Sequence, residues 1–131
     1  MSRLTLLAMC LCAILAIAFA SPLPSNTTVD QSTGSYSGIA TYFDVGLGAC
    51  GHTDTNADHI VALGLKHYRG NCNKMIHITN TKNGKTATAK VRDLCESCGL
   101  GAGTNIDLAP SVFSSIGAMV LGELDVQWYF M

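Results

Sequence analysis

The 131-residue sequence predicts a mostly-β domain, with about six short strands closed into a barrel and one or two short helices. Three observations point there. Residues 86–91 and 123–130 alternate polar and apolar side chains with period 2. Asn83-Gly84, between two strand-like runs, is the strongest hairpin signal in the chain. Glycine-containing turns separate the remaining short apolar runs. Closure into a barrel is the expected outcome, because it removes exposed strand edges.

At the N-terminus, Arg3 precedes an apolar run over residues 4–20, broken only by Thr5. Ala18 and Ala20 give an A-x-A-like cleavage site, so residues 1–20 read as a secretory signal peptide. Pro22 and Pro24 follow at once, which disfavours a continuing membrane helix, and no later run is long enough to span a bilayer. Residues 21–36 are rich in Ser, Thr and Asn and read as a flexible polar leader. Asn26-Thr27-Thr28 in that leader is a glycosylation sequon, with Asn26 as the acceptor. Residues 37–131 then form one domain.

The first strand is expected over residues 38–44. Ala40, Tyr42 and Asp44 would share one face, and Ile39, Thr41 and Phe43 the other. A tight turn follows at residues 46–51, tethered by Cys50, and then a polar loop. Residues 60–63 are a short apolar strand that Gly64 breaks. Residues 65–70 are a loop or short helix. Residues 75–79 form the strand that enters the hairpin. In the next strand Ala87, Ala89 and Val91 face one side, small enough for a crowded barrel interior. Continuing that alternation puts Asp93 on the inner side at the strand's end. A carboxylate does not sit unpaired in a dry core, so Asp93 belongs at the barrel's mouth, or bonds to nearby backbone amides. Ile106 and Leu108 flank Asp107 in a three-residue strand. Pro110 suits a helix start, with one or two turns over residues 111–116. In the last strand Leu124, Val126, Trp128 and Phe130 face one way, so Trp128 is assigned to the core rather than to a sugar platform.

Six cysteines are present, and Cys10 and Cys12 fall in the signal segment, leaving four: Cys50, Cys72, Cys95 and Cys98. An even number in an oxidising compartment reads as two disulfides. Three pairings are possible. Cys95 and Cys98 are near each other in sequence, which leaves Cys50 with Cys72. A redox reading of Cys95-x-x-Cys98 would want a following helix, and the glycine-rich run after Cys98 makes a poor one. Zinc would want a second ligand pair. None is present, and His52, His59, His67 and His77 show no ligand spacing. No metal and no organic cofactor is expected. Of eight basic residues one, Arg3, is in the signal segment, so seven remain against nine acidic ones. With no basic run, neither nucleic acid nor an anionic membrane is an expected partner.

The motifs GIATYFDVGLGACG, NCNKMIHITN, GKTATAKVRDLCESCG, NIDLAPSVFSSI and VQWYF, in that order, resemble single-domain expansin-like proteins, in particular the fungal loosenins. The resemblance covers about residues 37–131. It implies a double-psi β-barrel, shared with RlpA-like and barwin-like proteins, family 45 endoglucanases and a papain inhibitor. It further implies that Asp107 is similar to the general acid of the glucanases, and Asp93 to the second cleft aspartate of expansins. Thr41 matches a cleft threonine. Asp44 resembles the position of the glucanase general base, which expansins generally lack. Cys50 and Cys72 match a bonded pair. One departure is Phe43, where expansins carry a tyrosine; here the tyrosine is Tyr42. The sequence given ends at Met131 without the second β-sandwich of expansins, so polysaccharide binding is expected to be weaker or to come from this barrel alone.

The expected function is therefore a secreted, monomeric, extracellular protein. It binds cell-wall polysaccharide, cellulose or chitin, and loosens it without significant hydrolysis. Thr41, Tyr42, Asp44, His52, Tyr68, Asp93 and Asp107 are the candidate contacts, with Tyr129 as a further exposed aromatic. One alternative is a cysteine protease inhibitor or secreted effector, using the loop at residues 46–55. Another is a weak inverting endoglucanase with Asp107 as acid and Asp44 as base. That chemistry wants two carboxyl groups roughly 6.5–9.5 Å apart and an acid whose pKa is raised.

Overall fold

A computed structural model describes residues 34–99 and 102–131. The expected signal peptide at 1–20, most of the expected leader with Asn26, and Leu100 and Gly101 of the glycine-rich turn lie outside the described residues. Six strands form a closed barrel: β1 (Ser35–Tyr42), β2 (Ile60–Leu63), β3 (Met75–Asn80), β4 (Thr86–Leu94), β5 (Ile106–Leu108) and β6 (Leu124–Phe130). Their order around the barrel is β1-β5-β2-β4-β3-β6. The pairs β1/β5 and β2/β4 are parallel, and the other four are antiparallel. The described residues include two α-helices, α1 (Leu65–Tyr68) and α2 (Pro110–Ile116), with 3-10 turns at Glu96–Gly99 and Met119–Leu121.

The alternation read from sequence carries into the packing. Ile76 and Ile78 of β3, Ala89 and Val91 of β4, and Val126 and Trp128 of β6 are buried, while their neighbours along each strand are not. β2 is buried at all four positions, which explains its unbroken apolar run. Ile60, Val61 and Leu63 share one core with Val112, Phe113 and Ile116 of α2. The hairpin at Asn83-Gly84 forms, with Gly84 at φ 74° and its N–H donating to the Asn80 carbonyl at 2.8 Å. Asn80 and Asn83 also donate their side-chain amides to the Ile116 carbonyl, at 2.8 and 2.9 Å. This hairpin thereby closes the C-terminal end of α2, whose last carbonyls would otherwise lack partners.

β1 begins at Ser35, three residues before the strand expected from sequence, and ends at Tyr42 rather than Asp44. The polar Ser35-Tyr36-Ser37 segment has no alternation of its own. It is a strand because β6 pairs with it from Ser35↔Tyr129 to Ala40↔Leu124. Gly38 pairs with Val126 inside the β1/β6 ladder, and a Cβ there would sit 2.3 Å from the Thr104 carbonyl oxygen. Tyr36 of the expected leader is packed into the fold, its ring 4.4 Å from His67 and 4.6 Å from Trp128.

His67 is a buried histidine on α1, set between Tyr36 and an edge-on Trp128 at 5.4 Å. Burial lowers its pKa below the ordinary value, and Lys66 adds to the effect. The folded chain thus binds the imidazole proton less readily than the unfolded chain does. Stability from this group is full above about pH 6.5 and is lost as pH falls through the depressed folded value. Thermal melts between pH 7 and 5 should show a falling midpoint, and His67→Phe, which keeps an aromatic ring there, should flatten that slope. An unchanged slope in the variant would assign the acid sensitivity to other groups.

Candidate functional site

Four residues form one row across four adjacent strands. Thr41 of β1 is the register partner of Asp107 of β5, Asp107 partners Ala62 of β2, and Ala62 partners Asp93 of β4. The two aspartates flank one small residue, two strand spacings or about 9.5 Å apart at the backbone, and the row spans about 14 Å. Sequence alternation alone predicted where Asp93 falls but not this order of strands.

Asp107 is half-buried. The Thr41 hydroxyl donates to its Oδ1 at 2.8 Å. Burial raises its pKa above the usual carboxylate value. The Thr41 hydrogen bond pulls the other way, the charge of Asp93 raises it further, and the Leu108 amide lowers it. A carboxyl group poised this way can exchange a proton or accept hydrogen bonds from a sugar hydroxyl.

Asp93 is placed by a bulge. The β2/β4 register steps from Val61↔Val91 to Ala62↔Asp93, leaving Arg92 as the extra residue. The carboxylate Oδ1 accepts from the Ala49 and Leu94 amides, both at 2.8 Å. Ala49 belongs to a small hairpin at residues 46–54, held by Gly48 N–H to His52 O at 2.9 Å and Asp54 N–H to Gly46 O at 3.1 Å. Asp93 thus accepts two backbone amides and is the register partner of Ala62.

The wall beside Ala62 is the Cys95–Cys98 disulfide, packed with Ala62 and Phe43 in one small cluster. Cys50–Cys72 is also bonded, so both pairings read from sequence are present. Next to Thr41 a hollow of about 220 Å³ is lined by Ile39, Thr41, Ser97, Cys98, Asn105 and Glu123. Ser97, Asn105 and Glu123 escaped the sequence reading, because nothing in their local patterns marks them; only closure of the barrel brings them to Thr41. Among the described residues, no group of three or more His, Cys, Asp or Glu is placed to hold a metal ion.

The other candidates lie elsewhere. Tyr42 follows Thr41 in β1, so its ring projects to the opposite face. It meets Phe113 edge-on at 4.8 Å, and its hydroxyl donates to the Met119 carbonyl at 3.3 Å. Asp44 is exposed beyond the end of β1 and accepts from the Asn56 amide at 3.3 Å. Asn56 in turn accepts the Val45 N–H at 2.8 Å, so the three residues form a loop clamp. His52 is exposed on the hairpin that supplies Ala49. Tyr68 is half-buried against the main core. Tyr129 stacks on His77, with ring centroids 5.0 Å apart, on the β6/β3 pair.

Two structures of the Clavibacter michiganensis expansin superpose on this chain, each covering 74% of it and 50% of the expansin. The apo form has a TM-score of 0.63 at 24% identity, and a mutant in complex with cellohexaose 0.64 at 22%. The fold is the expansin-like double-psi β-barrel. The Streptomyces papain inhibitor shares this barrel, with a TM-score of 0.64 and 27% identity over 74% of this chain and 94% of the inhibitor. In sequence, the chain is 39% identical over 115 residues to the Allergen Asp f 7 homolog of Arthroderma benhamiae, a match covering 72% of this chain. The chain spans 38% of the length of that curated relative. No protein-family profile matches it. Within the expansin-like barrel, the row Thr41–Asp107–Ala62–Asp93 sets two aspartates and a threonine on adjacent strands, with the Asp107 carboxyl raised in pKa by burial.

Proposed function

We propose that the protein binds a cell-wall polysaccharide, cellulose or chitin, along the Thr41–Asp107–Asp93 row and loosens its packing without significant hydrolysis. The observation that carries this reading is the half-buried Asp107, held by Thr41 and sharing Ala62 with Asp93. The likeness to an expansin in complex with cellohexaose supports the choice of a β-linked glucan as ligand. Asp44, engaged by Asn56 beyond the end of β1, is poorly suited to activate a water on the far side of a sugar from Asp107. Hydrogen bonding to sugar hydroxyls requires no second carboxylate, and disturbing contacts between polymer chains requires no bond cleavage. Secretion, with residues 1–20 removed as a signal peptide, fits the two disulfides and belongs to the same proposal. Pull-down on insoluble cellulose and chitin, with fibre weakening and release of reducing ends followed together, tests it. Binding and weakening with no steady release of reducing ends is the expected result. Steady release would make the protein a glucanase, and no binding to either polymer would reject the reading.

A second reading, a cysteine protease ligand, rests on a different observation. The hairpin at residues 46–54 exposes 74% of Leu47 while being braced by the Cys50–Cys72 bond and by an Asp54–Arg92 ion pair. A braced loop with an exposed apolar residue loses little entropy on entering a protease cleft, and the barrel is shared with a papain inhibitor. A papain inhibition assay with Leu47→Asp as the control separates the two readings. Inhibition lost in the variant would favour this one.

A further inference from the structure

Arg92 stands in β4 directly before Asp93. As the extra residue of the β4 bulge, it separates Val91 from Asp93 in the register with β2. Its guanidinium Nε lies 3.3 Å from Asp54 Oδ2, and both side chains are mostly buried, 17% and 14% exposed. Nη1 donates to the Asn73 side-chain oxygen, and the Asn73 backbone N–H donates to the Val91 carbonyl at 2.8 Å. Asp58, His59, Ile60 and Lys90 line the same hollow. The Arg92 carbonyl accepts the Cys50 N–H at 3.1 Å, and Gly48 packs against it so closely that a Cβ there would lie 2.3 Å from the oxygen. One residue thus grips the 46–54 hairpin twice, by its side chain at Asp54 and by its backbone at Cys50 and Gly48. That hairpin supplies the Ala49 amide to Asp93.

We propose that Arg92 is a positioning residue: its ion pair with Asp54 fixes the 46–54 hairpin so that the Ala49 amide holds the Asp93 carboxylate in its place opposite Ala62. The consequence falls on Asp107. Asp93 is the charged group that acts on Asp107, and Arg92 is not among the groups that shift it. An effect of Arg92 on Asp107 therefore has to travel through the position of Asp93. An ion pair drawn this far out of water need not add net stability, because desolvation offsets its Coulomb gain.

The test follows the Asp107 carboxyl by NMR in labelled protein, together with cellohexaose binding. Arg92→Gln and Asp54→Asn should each move the Asp107 titration midpoint downward and weaken cellohexaose binding by roughly two- to tenfold. Combining the two should add little, because both break one pair. In an Asp93→Asn background, Arg92→Gln should leave the Asp107 midpoint where Asp93→Asn alone put it. If Arg92→Gln does not fold, Asp54→Asn carries the same test with the cation retained. Folded variants that leave the Asp107 titration unchanged would overturn the proposal, as would a shift that persists without Asp93. This part of the binding argument rests on the polysaccharide reading, but the titration does not. A chain that binds no cellohexaose yet shows the shift would sink that reading and keep the role of Arg92.

Discussion

Asp107→Asn should abolish polymer loosening and leave the barrel at least as stable as the wild type. The substitution keeps the size of the side chain and an oxygen to accept from the Thr41 hydroxyl. It removes the charge that burial and Asp93 disfavour. A folded pKa raised above the unfolded value means that the native state holds the proton more tightly. Stability from that preference is fully present below about pH 3.9 and is lost as pH rises through the folded midpoint. At neutral pH the wild type therefore bears a cost that Asn removes, and the melting midpoint of the variant should match or exceed that of the wild type. Function should move oppositely. Hydrogen bonds to a charged group contribute about 1.5–3 kcal/mol, so oligosaccharide binding should weaken roughly ten- to a hundredfold. The pH dependence separates two chemistries. A carboxylate accepting from sugar hydroxyls works above the folded midpoint and fades below it. A general acid works below the midpoint and fades above it. Asp44→Asn should change little in the first case and cost orders of magnitude in the second. Full loosening by Asp107→Asn would show that the row is not the binding site.

Trp128→Ala should have the largest effect on stability of any single truncation in the barrel. Trp128 is fully buried and touches three rings: Tyr36 at 4.6 Å, His67 at 5.4 Å and Phe130 at 5.6 Å. Its indole N–H donates to the Thr104 carbonyl at 2.8 Å. Emptying that volume costs about 3–5 kcal/mol, and the orphaned carbonyl adds about 1–3 kcal/mol. Against a domain stability of about 5–15 kcal/mol, much of the margin disappears. Trp128→Phe retains most of the ring volume and should lose chiefly the hydrogen bond. Chemical denaturation of both variants checks this. A midpoint for Trp128→Ala near the wild-type value would mean that the core at Tyr36 and His67 closes over the gap.

The ladder of strands was legible wherever one face is buried and the other wet. Ala89 and Val91, and Leu124 to Trp128, declare themselves by alternation, and Asn83-Gly84 by turn chemistry. The CxxC pairing was legible because three residues of chain leave little choice. The β1 start was not, because Ser35 and Ser37 are strand residues only by virtue of Tyr129 and Gln127 across the ladder. Tyr42 illustrates a different limit. Its alternation was read correctly, but which face of β1 meets the cleft depends on β5 lying alongside it. The Arg92 bulge was invisible for the same reason, since a bulge exists only relative to a partner strand. Residue types at the site could thus be named from sequence, and the order of strands that joins them could not.

The row across the barrel also bears on how the chain folds. Thr41 and Asp107 are 66 residues apart, and their strands are parallel neighbours, so no local hairpin can bring them together. The site is made of long-range pairings, which form late and slowly in β-rich domains, on a timescale of about milliseconds to seconds. A hairpin fragment such as β3–β4 could gain structure early and still carry only one member of the row, Asp93. Ligand binding should accordingly be the last property to recover on refolding, and its kinetics would time the closure of the barrel itself.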